Sequence, residues 1–106
     1  MDSAESRFQE LVKQVCERPG MFSDGSYLQA ATFIDGYWYA LEKGGYLQYP
    51  ELTSHDFSWW LAKRMGCSPA LSWICQLESS EKSDEETLNQ LKEELLTYYD
   101  EVTNHH

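Results

Sequence analysis

The chain has 106 residues with 18 acidic and 8 basic side chains, so its formal net charge at pH 7 is −10. It is nonetheless 42% hydrophobic and 14% aromatic, and this aromatic content excludes a disordered acidic segment. A chain of this length builds a single core, so we expect one domain over residues 1–106. Nucleic acids and anionic membranes recruit basic proteins, so the negative charge argues against both as partners and favours a basic macromolecule.

The compartment is predicted from what the sequence lacks. No stretch approaches the ~20 consecutive apolar residues of a transmembrane helix, and the first residues lack the basic and apolar regions of a signal peptide. We therefore expect a cytoplasmic protein. Cys16, Cys67 and Cys75 fit no C-x-x-C spacing, which predicts reduced, mostly buried thiols. The final His105 and His106 resemble the start of an affinity tag and carry no functional weight.

The N-terminal half predicts two helices. Apolar residues recur at helical spacing over residues 4–17, and Arg18-Pro19-Gly20 then stops the helix. A second helix is predicted over residues 27–43, with Ser26 as its N-cap. Its apolar positions cover a wide arc and include several aromatic residues, which indicates the central helix of the domain.

Two residues interrupt the apolar pattern of this second helix. Gly36 costs helix stability relative to alanine, so we expect that it permits the close approach of a neighbouring helix. Asp35 lies beside it and is expected to be half-buried next to a basic side chain, either Arg18 or Arg64.

Residues 46–50 are predicted to be an extended loop, and two shorter helices follow it. Thr53 or Ser54 is expected to cap the third helix, which ends near residue 65 at Gly66. Ser68-Pro69 is typical of an N-cap followed by proline in the first turn, and predicts that the fourth helix starts there.

The last helix is long and acidic. Ser83 and Glu86 have the spacing of a capping box, and leucines at helical spacing follow, so the helix is predicted over about residues 83–102. The predicted fold is therefore all-α: a single compact domain of about five helices around a central aromatic-rich helix.

The sequence contains no clear catalytic, metal-binding or cofactor-binding motif. No glycine-rich phosphate loop and no run of oxygen ligands of the EF-hand kind is present, so we predict no metal and no cofactor. The remaining candidate for catalysis is His55 acting with Asp56 and Arg64, which requires the fold to bring them together. The prediction is that the chain is not an enzyme.

The negative charge is concentrated near the C-terminus. Residues 1–77 hold nine acids and six bases, whereas residues 78–106 hold nine acids and two bases. The acidic last helix is either a solvated face or a docking surface for a basic partner. Trp59 and Trp60 point about 100° apart, so at least one aromatic among Tyr46, Tyr49 and these two is expected at the surface, where such residues anchor partners.

Three motifs in order along the chain resemble a group of small bacterial cytosolic proteins, some of which serve as immunity proteins to toxins. These motifs are R-P-G-M-[YF], F-[LI]-x-G-Y and F-x-x-W-L-x-x-R-x-G, read here at residues 18–22, 33–37 and 57–66. A Trp-containing stretch and an acidic C-terminal helix follow in both. The resemblance implies a helical fold and architectural roles for Arg18, Pro19, Gly20 and Gly36. It also implies an inhibitor of a contact-delivered or polymorphic toxin.

The predicted function is accordingly an immunity protein that binds a cognate toxin, possibly a basic nuclease, and blocks its active site. The alternative is a non-enzymatic regulatory or adaptor module that acts by homodimerisation or by binding another protein, and the oligomeric state is left open. The residues expected to contact the toxin are aromatic or acidic: Tyr46, Tyr49, Glu51, Asp56, Trp59, Glu85, Glu86, Glu93 and Glu94.

Overall fold

A computed structural model of the chain describes residues 3–22 and 24–104, and these residues form helices, turns and loops without a strand. A single 3-10 turn at Pro19–Met21 follows the first of the five α-helices. The prediction of an all-α fold is confirmed. The helices are α1 (Ala4–Glu17), α2 (Tyr27–Gly44), α3 (Ser54–Met65), α4 (Trp73–Leu77) and α5 (Asp84–Asn104).

Local capping sets most helix boundaries where the sequence predicts them. The Ser26 hydroxyl accepts the Gln29 N–H at 3.3 Å, and Thr53 caps α3 in the same way. Ser83 and Glu86 form the predicted reciprocal capping box. At the C-terminal ends of α2 and α3, Gly45 and Gly66 have φ of 71° and 72°, a left-handed conformation that favours glycine.

Trp38 of α2 lies at the centre of the core. Its ring is fully buried and contacts one aromatic ring from each of the other four helices. Its indole Nε1–H also donates a 3.0 Å hydrogen bond to the carbonyl of Leu52 in the α2–α3 loop. The aromatic-rich second helix is therefore central, as predicted. The four ring partners, with centroid distances of 4.9, 5.7, 6.4 and 6.2 Å, are Phe8, Phe57, Trp73 and Tyr99.

The prediction for the start of the fourth helix is wrong. Residues 68–71 form only a turn, and α4 begins at Trp73 with Ser72 as its N-cap. The buried hydroxyl of Ser58 on α3 accepts the Trp73 N–H at 2.9 Å. In a helix that started at Ser68, this N–H would instead bond to a carbonyl of the helix itself. A tertiary hydrogen bond thus overrides the local Ser-Pro signal.

The expectation for Gly36 is also wrong. Gly36 is exposed, and a Cβ atom built on it would have no heavy atom within 4 Å, so no neighbouring helix approaches it closely. Three apolar residues within the wide apolar arc of α2 are also exposed in part. Leu28, Phe33 and Tyr37 retain 49%, 40% and 37% of their accessible surface.

The three cysteines are free thiols that differ in burial. Cys16 is buried, Cys67 is intermediate and Cys75 is exposed, so the expectation of burial is wrong for Cys75. Burial raises the pKa of the Cys16 thiol to about 12. Within the described part of the chain, no helix is both long and apolar enough to cross a membrane. His105 and His106 lie outside the described residues.

Candidate functional site

The most accessible tryptophan of the chain's described part is Trp59 on α3, which is 54% exposed. It borders an open groove of about 710 Å³ between α2, the first half of α3 and the segment that leads into α4. We call this the Trp59 groove. The side chains that define it are Asp35, His55, Trp59, Leu71, Trp73 and Ile74.

Polar contacts fix the floor of the groove. The indole Nε1–H of the buried Trp73 donates a 3.2 Å hydrogen bond to the carboxylate of Asp35. The Ser58 hydroxyl donates to the Ser54 carbonyl at 3.0 Å and accepts the Trp73 N–H, so α3 and α4 are held in register. The His55 ring lies edge-on to the Trp59 ring with centroids 6.4 Å apart. The groove therefore has aromatic walls and a fixed carboxylate.

A second carboxylate lies two turns along α2 from Asp35. Glu42 accepts the Ser54 N–H at 3.2 Å. Partial burial, with a further contribution from the charge of Asp35, raises the pKa of Glu42 above its ordinary value. The hydrogen bond from Ser54 and the charge of Lys43 oppose this shift without cancelling it.

The sequence predicts that partner contacts extend into the α2–α3 loop. Tyr46 is 66% exposed there, whereas Tyr49 packs against the core. The Glu51 carbonyl accepts a hydrogen bond from the Tyr98 hydroxyl. Asp56, whose N–H and carboxylate both contact the Thr53 hydroxyl, completes the N-cap of α3. Burial raises the pKa of Tyr98, and the charges of Asp56 and Glu51 add to the shift, so both acids lie within electrostatic range of the Tyr98 hydroxyl.

Two of the four predicted contact acids of α5, Glu86 and Glu94, form hydrogen bonds to other side chains of the chain. Glu94 binds Arg64 of α3 through two hydrogen bonds of 2.6 and 3.4 Å, and the guanidinium also lies over the Trp60 ring. Glu86 forms the capping box with the Ser83 hydroxyl. Glu85 is exposed at the helix start, and Glu93 is exposed two turns further on.

A line of carboxylates runs along the exposed side of α5. Glu86, Glu93 and Asp100 recur every seven residues, which is close to two helical turns, and all three are exposed. We call these residues the acidic stripe. Two of its residues, Glu86 and Glu93, are among the acids predicted to contact the partner. The acidic stripe is separate from the Trp59 groove, because no residue of α5 lines that groove.

The sequence expects Asp35 to pair with Arg18 or Arg64, and the structure contradicts this. Arg64 is bound to Glu94, and Arg18 lines a separate depression with Met21 and Phe22. Arg18, Pro19 and Gly20 end α1 and start the 3-10 turn. The hydrogen-bond partner of Asp35 is instead an indole.

The residues of the enzyme hypothesis are not brought together. His55 faces Trp59, Asp56 caps α3, and Arg64 is bound to Glu94 near the other end of the helix. Among residues 3–22 and 24–104, no group of three or more His, Cys, Asp or Glu side chains has an arrangement that holds a metal ion.

The predicted contact residues thus lie in three regions: Trp59 at the groove, the four acids on α5, and a set in the α2–α3 loop and the first turn of α3. That set is Tyr46, Tyr49, Glu51 and Asp56. Sequence reasoning singled out Asp35 and Trp59 separately but missed that they share a groove. It also missed Leu71 as a wall, which is 47% exposed. The one sequence feature that points to this groove is Asp35, an acidic residue within the most apolar helix.

Neither a family model, a curated protein nor a solved structure matches this chain.

Proposed function

We propose that this chain is a cytoplasmic immunity protein of bacteria, which binds a cognate toxin domain and blocks its active site without itself catalysing a reaction. The observation that carries the proposal is the exposed Trp59 beside a groove with a fixed carboxylate. Exposed tryptophans in such settings are typical anchors of protein–protein interfaces. The resemblance at residues 18–22, 33–37 and 57–66 supports the choice of an immunity protein.

The surface around Trp59 is preorganised. Thr53 caps the start of α3 and Gly66 its end, and the Ser58 hydroxyl bonds α3 to α4. A rigid surface loses little conformational entropy when it binds, so more of the contact energy contributes to affinity. This is what an inhibitor of a lethal enzyme requires, because its complex must dissociate slowly.

The charge favours a basic toxin. A net charge of −10 increases the encounter rate with a positively charged domain and makes association sensitive to salt. A nuclease fits this description, because its active site must attract phosphates.

Co-expression with the product of the adjoining gene tests the proposal. If that gene encodes the toxin, its expression alone should arrest the growth of the host cells, and we expect co-expression of this chain to restore it. The two purified proteins should form a complex whose association rate falls steeply between about 50 and 500 mM salt. Failure to restore growth together with no complex at low salt would overturn the proposal.

A second candidate, an adaptor that acts by homodimerisation, is favoured by another apolar surface. Met21 is 71% exposed, and Phe33, which contacts the Phe22 ring at 5.7 Å, is 40% exposed. Sedimentation velocity distinguishes the two functions. A dimer that Met21→Glu converts to a monomer would support the adaptor, and a concentration-independent monomer would exclude homodimerisation.

A further inference from the structure

The Asp35 carboxylate lines the Trp59 groove and has no ion-pair partner among residues 3–22 and 24–104. Neither of the two ion pairs among the described residues involves Asp35. Lys43, the nearest base along α2, has its ammonium over the Tyr39 ring at 5.5 Å. A half-buried carboxylate in this state gains more from a bound cation than an exposed one does, because it is less well solvated.

The surroundings of Asp35 favour a cation further. The pKa of Glu42 is raised chiefly by burial, and the negative charge of Asp35 adds to the shift, so the Asp35 carboxylate acts on its surroundings as an anion. The Trp73 indole donates to one Asp35 oxygen and so orients the carboxylate. Trp59 and His55, which line the same groove, supply aromatic surface.

We propose that the Trp59 groove receives an arginine side chain of the partner protein, whose guanidinium hydrogen-bonds Asp35 and lies against Trp59. Arginine suits this site better than lysine because its planar guanidinium both stacks on aromatic rings and bonds a carboxylate through two donors. The groove volume of about 710 Å³ is in the range of ordinary ligand sites. This inference rests on the proposed function, since it assigns the surface that a basic toxin contacts.

The indole N–H signals of the four tryptophans provide a test by nuclear magnetic resonance. The probe is the peptide acetyl-Ala-Arg-Ala-amide, and the control replaces its arginine with citrulline, which is neutral and nearly the same shape. We expect saturable shifts of the Trp59 and Trp73 signals with the arginine peptide alone. Trp60, whose Nε1–H donates to Glu101 at 2.7 Å, reports on binding near α5.

Two matched variants locate the charge. Asp35→Asn keeps the oxygen that accepts from Trp73 but removes the negative charge, so we expect at least about tenfold weaker peptide binding. Asp100→Asn makes the same change on the acidic stripe and is expected to leave binding unchanged. The inference is overturned if both variants bind alike, if only Trp60 shifts, or if no signal shift saturates.

The same variants separate this inference from the proposed function. If the product of the adjoining gene binds Asp35→Asn and wild type equally well, the groove assignment fails and the immunity function stands. If the arginine peptide binds as expected but that gene product neither binds nor is neutralised, the immunity function fails and the groove assignment stands.

Discussion

Arg64 and Glu94 form an ion pair between α3 and α5, with the guanidinium Nε 2.6 Å from a carboxylate oxygen. The Trp60 indole donates to Glu101, which lies seven residues, or about two turns, further along α5. Two acids of the C-terminal helix therefore hold α3 in place, and part of the acidity that the sequence assigns to partner binding has a structural use. This distinction can be measured by changing one acid at a time.

Glu94→Gln is expected to lower the Tm by a few degrees at low salt, because Arg64 loses its charged partner. Glu93→Gln removes the same charge from an exposed site, and we expect an unchanged or slightly raised Tm because the chain carries an excess of negative charge. Thermal unfolding followed by circular dichroism measures both. The difference should disappear near 1 M salt, and its persistence there would contradict an electrostatic origin.

Trp38→Phe is expected to reduce the free energy of unfolding by about 2 kcal/mol or more. The smaller ring leaves a cavity between four helices, and the buried Leu52 carbonyl loses its donor. Trp59→Phe is the matched control, and its cost should stay within about 0.5 kcal/mol because the residue is exposed. Urea unfolding measures both, and equal costs would contradict the central position of Trp38.

The sequence predicts those parts of the fold that depend on contacts between residues close together in the chain. Ser26 and Ser83 cap their helices through donors three residues away, so their positions are readable locally. The start of α4 also has a local cap, since the Ser72 hydroxyl accepts the Cys75 N–H, but the choice of Ser72 over Ser68 depends on Ser58, which lies fifteen residues before Trp73. Long-range hydrogen bonds leave no periodic trace in a sequence.

The candidate site follows the same rule. The pattern of α3 predicts that an aromatic residue is exposed, but the contacts with α5 decide that it is Trp59 rather than Trp60. The Trp59 groove joins three separated segments of the chain, so neither its shape nor the indole partner of Asp35 could be predicted.

Two buried tyrosines differ in whether their hydroxyl is hydrogen-bonded. The Tyr27 hydroxyl donates to the Ile74 carbonyl at 2.8 Å, whereas the buried Tyr99 hydroxyl has no hydrogen-bond partner among the described residues. We expect Tyr27→Phe to cost about 1 kcal/mol and Tyr99→Phe to cost nothing or to stabilise slightly. Urea unfolding of the two variants tests this. An equal cost would show that the Tyr99 hydroxyl is hydrogen-bonded in solution.

Glu42 predicts a pH dependence of stability. Its pKa is raised in the folded protein, chiefly by burial, so its contribution to stability is complete below the unfolded pKa and is lost as the pH rises through the folded pKa. Glu42→Gln keeps an oxygen for the Ser54 N–H and does not ionise. The variant should therefore gain stability relative to wild type as the pH rises from about 4 to 7. Urea midpoints across this range measure the difference.

Asp24→Asn is a control for which the pH dependence of stability is expected to have the opposite sign. Hydrogen bonding from the Ser26 N–H lowers the pKa of Asp24, so this carboxylate stabilises the fold above its unfolded pKa and loses that contribution as the pH falls through the folded pKa. Asp24→Asn should be less stable than wild type near neutral pH and approach it in acid. If both variants differ from wild type by a constant amount at every pH, the ionisation of these carboxylates is not coupled to folding.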